Sequence, residues 1–177
     1  MEYTDIIMPV YNCESYIKQA IESVKNQTIP NWKLIIIDDK STDNTLKVIN
    51  ESIKGIEDKI LIIKSEQHNG VAITRNLGIE KAKSRYIAFL DADDMWQKEK
   101  LEKQIQFMKQ NNYQFSYTGY SYLKNDKEKR VKTFYKSLNY KQALKNTFIL
   151  TSTVMIDTDK ISRKNIYMLD VESEDTA

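Results

Sequence analysis

The stretch Tyr86-Ile87-Ala88-Phe89-Leu90-Asp91-Ala92-Asp93-Asp94 decides the fold. Its first half reads as a buried strand, which stops abruptly at three carboxylates within four residues. Asp is a poor strand former and is rarely buried without a partner, so packing does not select that ending. Asp-x-Asp at the C-terminal end of a strand offers hard oxygen ligands to Mg²⁺ or Mn²⁺. Such an ion keeps open positions for the phosphates of a substrate. The plainer reading is a solvated turn in which Asp94 caps the next helix.

Working outward, apolar strands alternate with helical patterns. Asp5 to Val10 reads as a strand closed by Pro9 and the polar Asn12, and a stripe of Ile17, Ala20, Ile21 and Val24 follows at helical spacing. Trp32 to Ile37 is a continuous apolar strand. Ser41-Thr42-Asp43 then offers cap residues, Ser41 or Thr42 foremost, for a helix carrying Leu46, Ile49 and Ile53. Lys59 to Lys64 reads as a third strand, Val71 to Ala82 as a helix, and Leu101, Ile105 and Met108 mark an amphipathic helix after the aspartates. This alternation predicts an α/β fold, a Rossmann-like, mostly parallel sheet with helices on both faces. Beyond Asn112 the rhythm changes. Tyr113 to Leu123 is aromatic and partly alternating, Asn125-Asp126 is turn-like, and a second short strand is expected near Val131 to Tyr135. These predict a small antiparallel excursion in the C-terminal half. Without repeats or a Pro/Gly linker, residues 1–177 read as a single domain.

Composition narrows the function classes. At 177 residues, 41% hydrophobic and 29% charged, the chain suits a folded globular domain. A net charge of +2 without a long Lys/Arg cluster argues against nucleic acid as a partner. The apolar runs are strand-sized, so no transmembrane segment is expected. The N-terminus lacks the pattern of a signal peptide, which makes the cytoplasm the expected compartment. One cysteine, Cys13, excludes an internal disulfide, and the single His68 excludes a histidine-rich metal centre. Cys13 reads as a small packing residue and His68 as a structural or surface residue of a loop. The sequence leaves a homo-oligomer open and does not fix the oligomeric state.

Three strand ends carry polar side chains: Tyr11 and Asn12, Asp38 and Asp39, and Asp91 and Asp93. In an open parallel sheet the ligand crevice lies beyond the C-terminal strand ends, where the strand order reverses. A 3-2-1-4 order brings all three clusters to one edge. There Asp39 can accept from a base N–H of the kind uracil offers, and Asp38 can orient the loop. Asp91 can reach a ribose hydroxyl or the water shell of a metal, and Asp93 can bind the metal directly. Arg75 and Asn76, in a helix near the same edge, suit phosphate or the aspartates. Gly70 and Gly78 favour close approach of that helix to the sheet. The aromatics Tyr113, Phe115, Tyr117, Tyr120 and Tyr122 read as sheet packing before a sugar-stacking groove. Nucleotidyl transfer fits poorly, because Pro9-Val10-Tyr11-Asn12-Cys13-Glu14 has no glycine, and no Gly-x-Gly-x-x-Gly supports a dinucleotide oxidoreductase.

Met8-Pro9-Val10-Tyr11-Asn12, Gln27-Thr28, Ile37-Asp38-Asp39-Lys40-Ser41-Thr42-Asp43, Asn69-Gly70 to Gly78, and Leu90-Asp91-Ala92-Asp93-Asp94 occur in that order. Together they resemble the family-2 glycosyltransferases of the GT-A fold. The resemblance implies an inverting transferase that moves a sugar from a nucleotide-diphospho-sugar, most often a UDP-sugar, to a hydroxyl acceptor, with Mn²⁺ or Mg²⁺. It implies nucleotide-sugar contacts at Pro9, Tyr11, Asn12, Asp38, Asp39, Arg75, Asp91 and Ala92, metal at Asp93, and a catalytic base at Asp175 within Glu174-Asp175. It implies a nucleotide-sugar-binding half over 1–110 and an acceptor-side half over 111–177. A saccharide or lipid-linked saccharide acceptor, bacterial surface polysaccharide synthesis and a peripheral place at the inner face of the membrane follow by the same analogy. Two departures stand out: Lys40 replaces a glycine usual in that loop, and the chain ends two residues after Asp175, where the family continues. The expectation is therefore a truncated chain with its donor half intact. A donor-binding fragment without turnover is the alternative.

Overall fold

The computed structural model describes residues 3–124, 127–130 and 149–169. The chain opens with β1 (Thr4–Val10), α1 (Ile17–Lys25), β2 (Trp32–Asp38), α2 (Thr45–Ser52), β3 (Ile60–Lys64), α3 (Val71–Lys81), β4 (Tyr86–Phe89) and α4 (Lys100–Asn111). Then come β5 (Phe115–Ser116), a hairpin of β6 (Ser121–Lys124) and β7 (Lys127–Arg130), and β8 (Met155–Asp157). The main sheet runs β3-β2-β1-β4-β8-β5, so the expected 3-2-1-4 core is present. β1 pairs in parallel with both β2 and β4, and β2 pairs in parallel with β3.

Alternation along the strands builds two cores. Ile6, Met8, Leu34, Ile36, Tyr86 and Ala88 face α1, α2 and α4. Ile7, Ile35, Ile37, Ile87 and Phe89 face Ile79 of α3 and the returning segment through Val154 and Ile156. Both faces are covered, which explains why the parallel strands are apolar throughout rather than alternating.

Several expectations need correction. The second core-flanking antiparallel strand is β8, held between β4 and β5; three apolar residues, Val154-Met155-Ile156, are too short a run to have announced it. The β6–β7 hairpin pairs Ser121 with Arg130. Its second strand precedes the expected one, and Asn125-Asp126 and Val131 to Tyr135 lie outside the described residues. Tyr113, Phe115 and Tyr122 are exposed rather than packed within the sheet. Neither Ser41 nor Thr42 caps α2. The helix begins at Thr45, whose N–H donates to Oδ1 of Asp43 at 3.0 Å. Asp94 does not cap α4 either, since that helix starts at Lys100. At its far end α4 closes on Asn112 at φ +57°, with the Tyr113 N–H donating to the Met108 carbonyl at 2.9 Å. That left-handed cap is the physical reason the helical rhythm stops there.

Candidate active site

The strand order reverses between β1 and β4, and a cleft of about 550 Å³ opens beyond their C-terminal ends. Pro9, Tyr11, Asn12, Asp39, Arg75, Asp91, Ala92 and Asp93 all line it, so eight of the sequence-derived candidates converge. Asp38 does not line it. Its carboxylate is buried and accepts the Ser41 N–H at 3.3 Å, which holds the loop after β2 as foreseen. Asp175, with Glu174, lies outside the described residues.

Loop 39–45 is tied to the end of β1. The Asn12 N–H donates to Ser41 Oγ at 3.0 Å, and Asn12 Oδ1 accepts the Thr42 N–H at 2.8 Å. Asn12 serves this loop with φ +46°, a conformation Asn tolerates. Cys13 is buried behind it, and burial raises its pKa to about 11. The thiol therefore stays protonated at neutral pH and acts as packing, not as a nucleophile.

Asp39 is buried and works first for its own chain. Its Oδ1 accepts the Asn69 N–H at 2.9 Å and its Oδ2 accepts the Gly70 N–H at 2.9 Å. These are donors at the entry of α3, where a carboxylate also meets the positive end of the helix dipole. Gly70 takes φ +84°, and a Cβ there would meet open space. That glycine therefore serves backbone conformation, not the close approach expected of it. Close approach belongs to Gly78, where a Cβ would lie 2.5 Å from Cγ2 of Ile7.

Arg75 Nη2 donates to Asp91 Oδ1 at 2.9 Å, with the Arg side chain 8% exposed. Asp91 is fixed from behind by its own N–H, which donates to Ser152 Oγ at 2.9 Å. Ser152 was not a candidate, because nothing in its local sequence signals a contact 61 positions away. Burial pushes the carboxyl of Asp94 upward in pKa, with Asp91 and Asp93 adding to the shift against a hydrogen bond from Ser152. Asp93 is exposed and has no hydrogen-bond or ion-pair partner among the described residues. No group of three His, Cys, Asp or Glu side chains able to hold a cation occurs among the described residues. An exposed carboxylate free of protein partners among the described residues, as at Asp93, is the kind of oxygen donor a hard cation takes. His68 also lines the cleft. It agrees with the structural or surface role expected of this loop residue, being half exposed and set against Asp39.

This fold and cleft suit a glycosyltransferase, and the chain belongs to glycosyl transferase family 2, whose family model matches residues 5–168. It is similar to TuaG of Bacillus subtilis (strain 168), a glycosyltransferase named for teichuronic acid biosynthesis. The two are 43% identical over 166 residues, covering 91% of this chain and 66% of TuaG. It is 40% identical over 177 residues to the UDP-Glc:alpha-D-GlcNAc-diphosphoundecaprenol beta-1,3-glucosyltransferase WfaP of Escherichia coli, covering 100% of this chain and 68% of WfaP. Among solved structures, S. aureus TarS 1-349 in complex with UDP-GlcNAc superposes with a TM-score of 0.77 at 22% identity, over 99% of this chain and 51% of that one. That likeness carries the GT-A fold. The chain spans about two thirds of the length of these curated relatives and about half of the TarS chain. Among the described residues no helix is long and apolar enough to cross a membrane.

Proposed function

We propose that this chain is the donor-binding and catalytic core of a metal-dependent, inverting glycosyltransferase that uses a UDP-sugar. Its acceptor is a hydroxyl of a saccharide or lipid-linked saccharide in bacterial surface polysaccharide synthesis. The observation that carries this reading is the convergence of Asp39, the Arg75–Asp91 pair and Asp93 on one cleft at the reversal of strand order. Kinship with WfaP supports the UDP-sugar and the lipid-linked acceptor, since WfaP is named for both.

In this reading Tyr11 stacks on the base while Asp39 accepts its N–H. Pro9, Asn12 and Ala92 shape the slot, and Asp91, oriented by Arg75 and Ser152, accepts from a ribose or sugar hydroxyl. Asp93 would hold Mn²⁺ or Mg²⁺, which when bound would supply Lewis-acid neutralisation of the diphosphate leaving group. Asp175 is the base. It takes the proton of the acceptor hydroxyl as that oxygen bonds to the anomeric carbon and the bond to the diphosphate breaks on the opposite side. Met168 is hydrogen-bonded to Asn76 through both its N–H and its carbonyl, at 2.8 Å each. Residues 1–110 then form the nucleotide-sugar half and 111–177 the acceptor-side half of one domain.

The test is calorimetric titration with UDP in Mn²⁺ and in EDTA, with GDP, TDP and ADP in parallel. UDP-selective binding that weakens at least tenfold in EDTA, and that loses its metal dependence in Asp93→Ala, is expected. Binding indifferent to both metal and Asp93 would overturn the metal site. Equal affinity for all four nucleotides would overturn the base assignment.

A further inference from the structure

His68 occupies the place where the base would sit. Its ring lies on Tyr11 with centroids 4.1 Å apart and planes 28° apart. Its Nδ1 lies 2.8 Å from Oδ2 of Asp39 and 3.3 Å from the Asp39 carbonyl oxygen. With two acceptor oxygens of Asp39 in reach, Nδ1 is the nitrogen that carries the ring hydrogen. A pyrimidine base bound between Tyr11 and Asp39 would supply the same two features, a flat ring on the tyrosine and an N–H toward the carboxylate. The 4.1 Å spacing admits no second ring, because an intervening base needs two van der Waals intervals, ~7 Å in all. The remaining Asp39 lone pairs are already engaged by Asn69 and Gly70.

The side chain is also free to leave. It is 53% exposed, whereas Asp39 beneath it is 3% exposed. The Asn69 and Gly70 N–H groups anchor the backbone of the loop to Asp39 independently of the imidazole. A rotation about the His68 side-chain bonds therefore empties the slot without unfolding the entry of α3. The buried carboxylate stays satisfied throughout, because the base N–H replaces the imidazole N–H.

We propose that His68 is a placeholder for the nucleobase: it keeps Tyr11 and Asp39 engaged in the free protein and is expelled when the donor binds. This rests on the assignment of the base to Tyr11 and Asp39 made above. It makes His68 a determinant of donor affinity, since only the fraction of molecules with the slot open can bind.

The test uses UDP with Mn²⁺ on the chain and on His68→Ala, with melting curves to check that both are folded. His68→Ala is expected to bind UDP about tenfold more tightly, since the slot no longer has to be vacated. His68→Phe, which keeps a ring on Tyr11 but offers no N–H to Asp39, is expected to fall between the two. Because His68 is the only histidine, its imidazole C–H signals in an NMR spectrum need no assignment. On saturation with UDP they should lose the ring-current shift from Tyr11 and move to the position of a free imidazole. Unchanged or weaker UDP binding by His68→Ala, or imidazole signals that stay in place while UDP binds, would overturn the placeholder role and leave the donor assignment standing. Absence of UDP binding in both chains would overturn the donor assignment, and the placeholder with it.

Discussion

Lys40 sits at φ +68°, in the left-handed region that a glycine enters at no steric cost. The family resemblance marked Lys40 only as a departure from a glycine usual in that loop. The loop takes a left-handed conformation that suits a glycine, and the lysine bears a strain of ~1–2 kcal/mol. Lys40→Gly removes that strain but loosens the unfolded chain by ~0.4–1 kcal/mol. Strain relief wins, so the variant should melt about 1–3 °C higher with UDP affinity unchanged; a lower melting temperature would contradict the strain. The same residue scale shows how legible the site was. Asp39 and Asp91 could be found because carboxylates ending apolar strands have no packing reason to be there. Separating Asp38 from Asp39 needed only the two-residue period of β2, which puts Asp38 on the side of Leu34 and Ile36 and leaves Asp39 one step beyond, at the entry of α3. The stacking of His68 was not legible, because its partner is a tyrosine 57 positions away.

At the scale of elements, α3 sets the geometry of the cleft. It carries Val71, Thr74 and Arg75 to the lining, follows on Gly70, and presses on the sheet through Gly78. A Cβ at position 78 would meet Ile7 Cγ2 at 2.5 Å and Ile37 Cδ1 at 2.9 Å. Ile7 is fully buried, and its Cγ2 is fixed at the branch point rather than at a flexible end. Gly78→Ala gains ~1 kcal/mol in helix propensity, whereas overpacking costs ~1–3 kcal/mol. The clash should dominate: a melting temperature lower by about 2–6 °C is expected. Weaker UDP binding should accompany it, as Arg75 is pushed outward with the helix. A more stable Gly78→Ala would show that α3 can lift from β1 without cost. The helix itself was plain in the sequence, whereas the division of labour between its two glycines was not. One glycine is needed for its φ and the other for its missing Cβ, and one-letter patterns do not distinguish these.

The whole molecule is closed by a strand that the sequence hid. β8 runs antiparallel beside β4, and Arg85 clamps Asp157 through Nε at 3.1 Å and Nη2 at 2.9 Å. Burial raises the pKa of Asp157, but the hydrogen bonds and charge of Arg85, with Asp159 N–H and Lys160, outweigh it and leave the pKa depressed. A carboxyl depressed in the folded state contributes stability above its unfolded pKa of ~3.9, and that contribution is lost as pH falls through the folded value. Urea midpoints should therefore be flat near neutrality and decline below about pH 4. Asp157→Asn should start lower at pH 7 and decline less steeply; a parallel decline would assign the acid limb to other carboxylates. The parallel core was readable because each of its strands is a complete apolar run. β8 was not, since its three residues gain their strand conformation only from neighbours on either side.

That arrangement has a consequence for synthesis on the ribosome. β1 to β4 and their helices are complete once Phe89 has emerged, but β8 begins only at Met155, about 65 residues later. At ~5–20 residues per second, the outer edge of β4 waits roughly 3–13 seconds for its neighbour, presenting unpaired backbone groups of the kind that recruit foreign strands. The nascent chain is thus most vulnerable to aggregation after its parallel strands have folded and before its last sheet neighbour arrives.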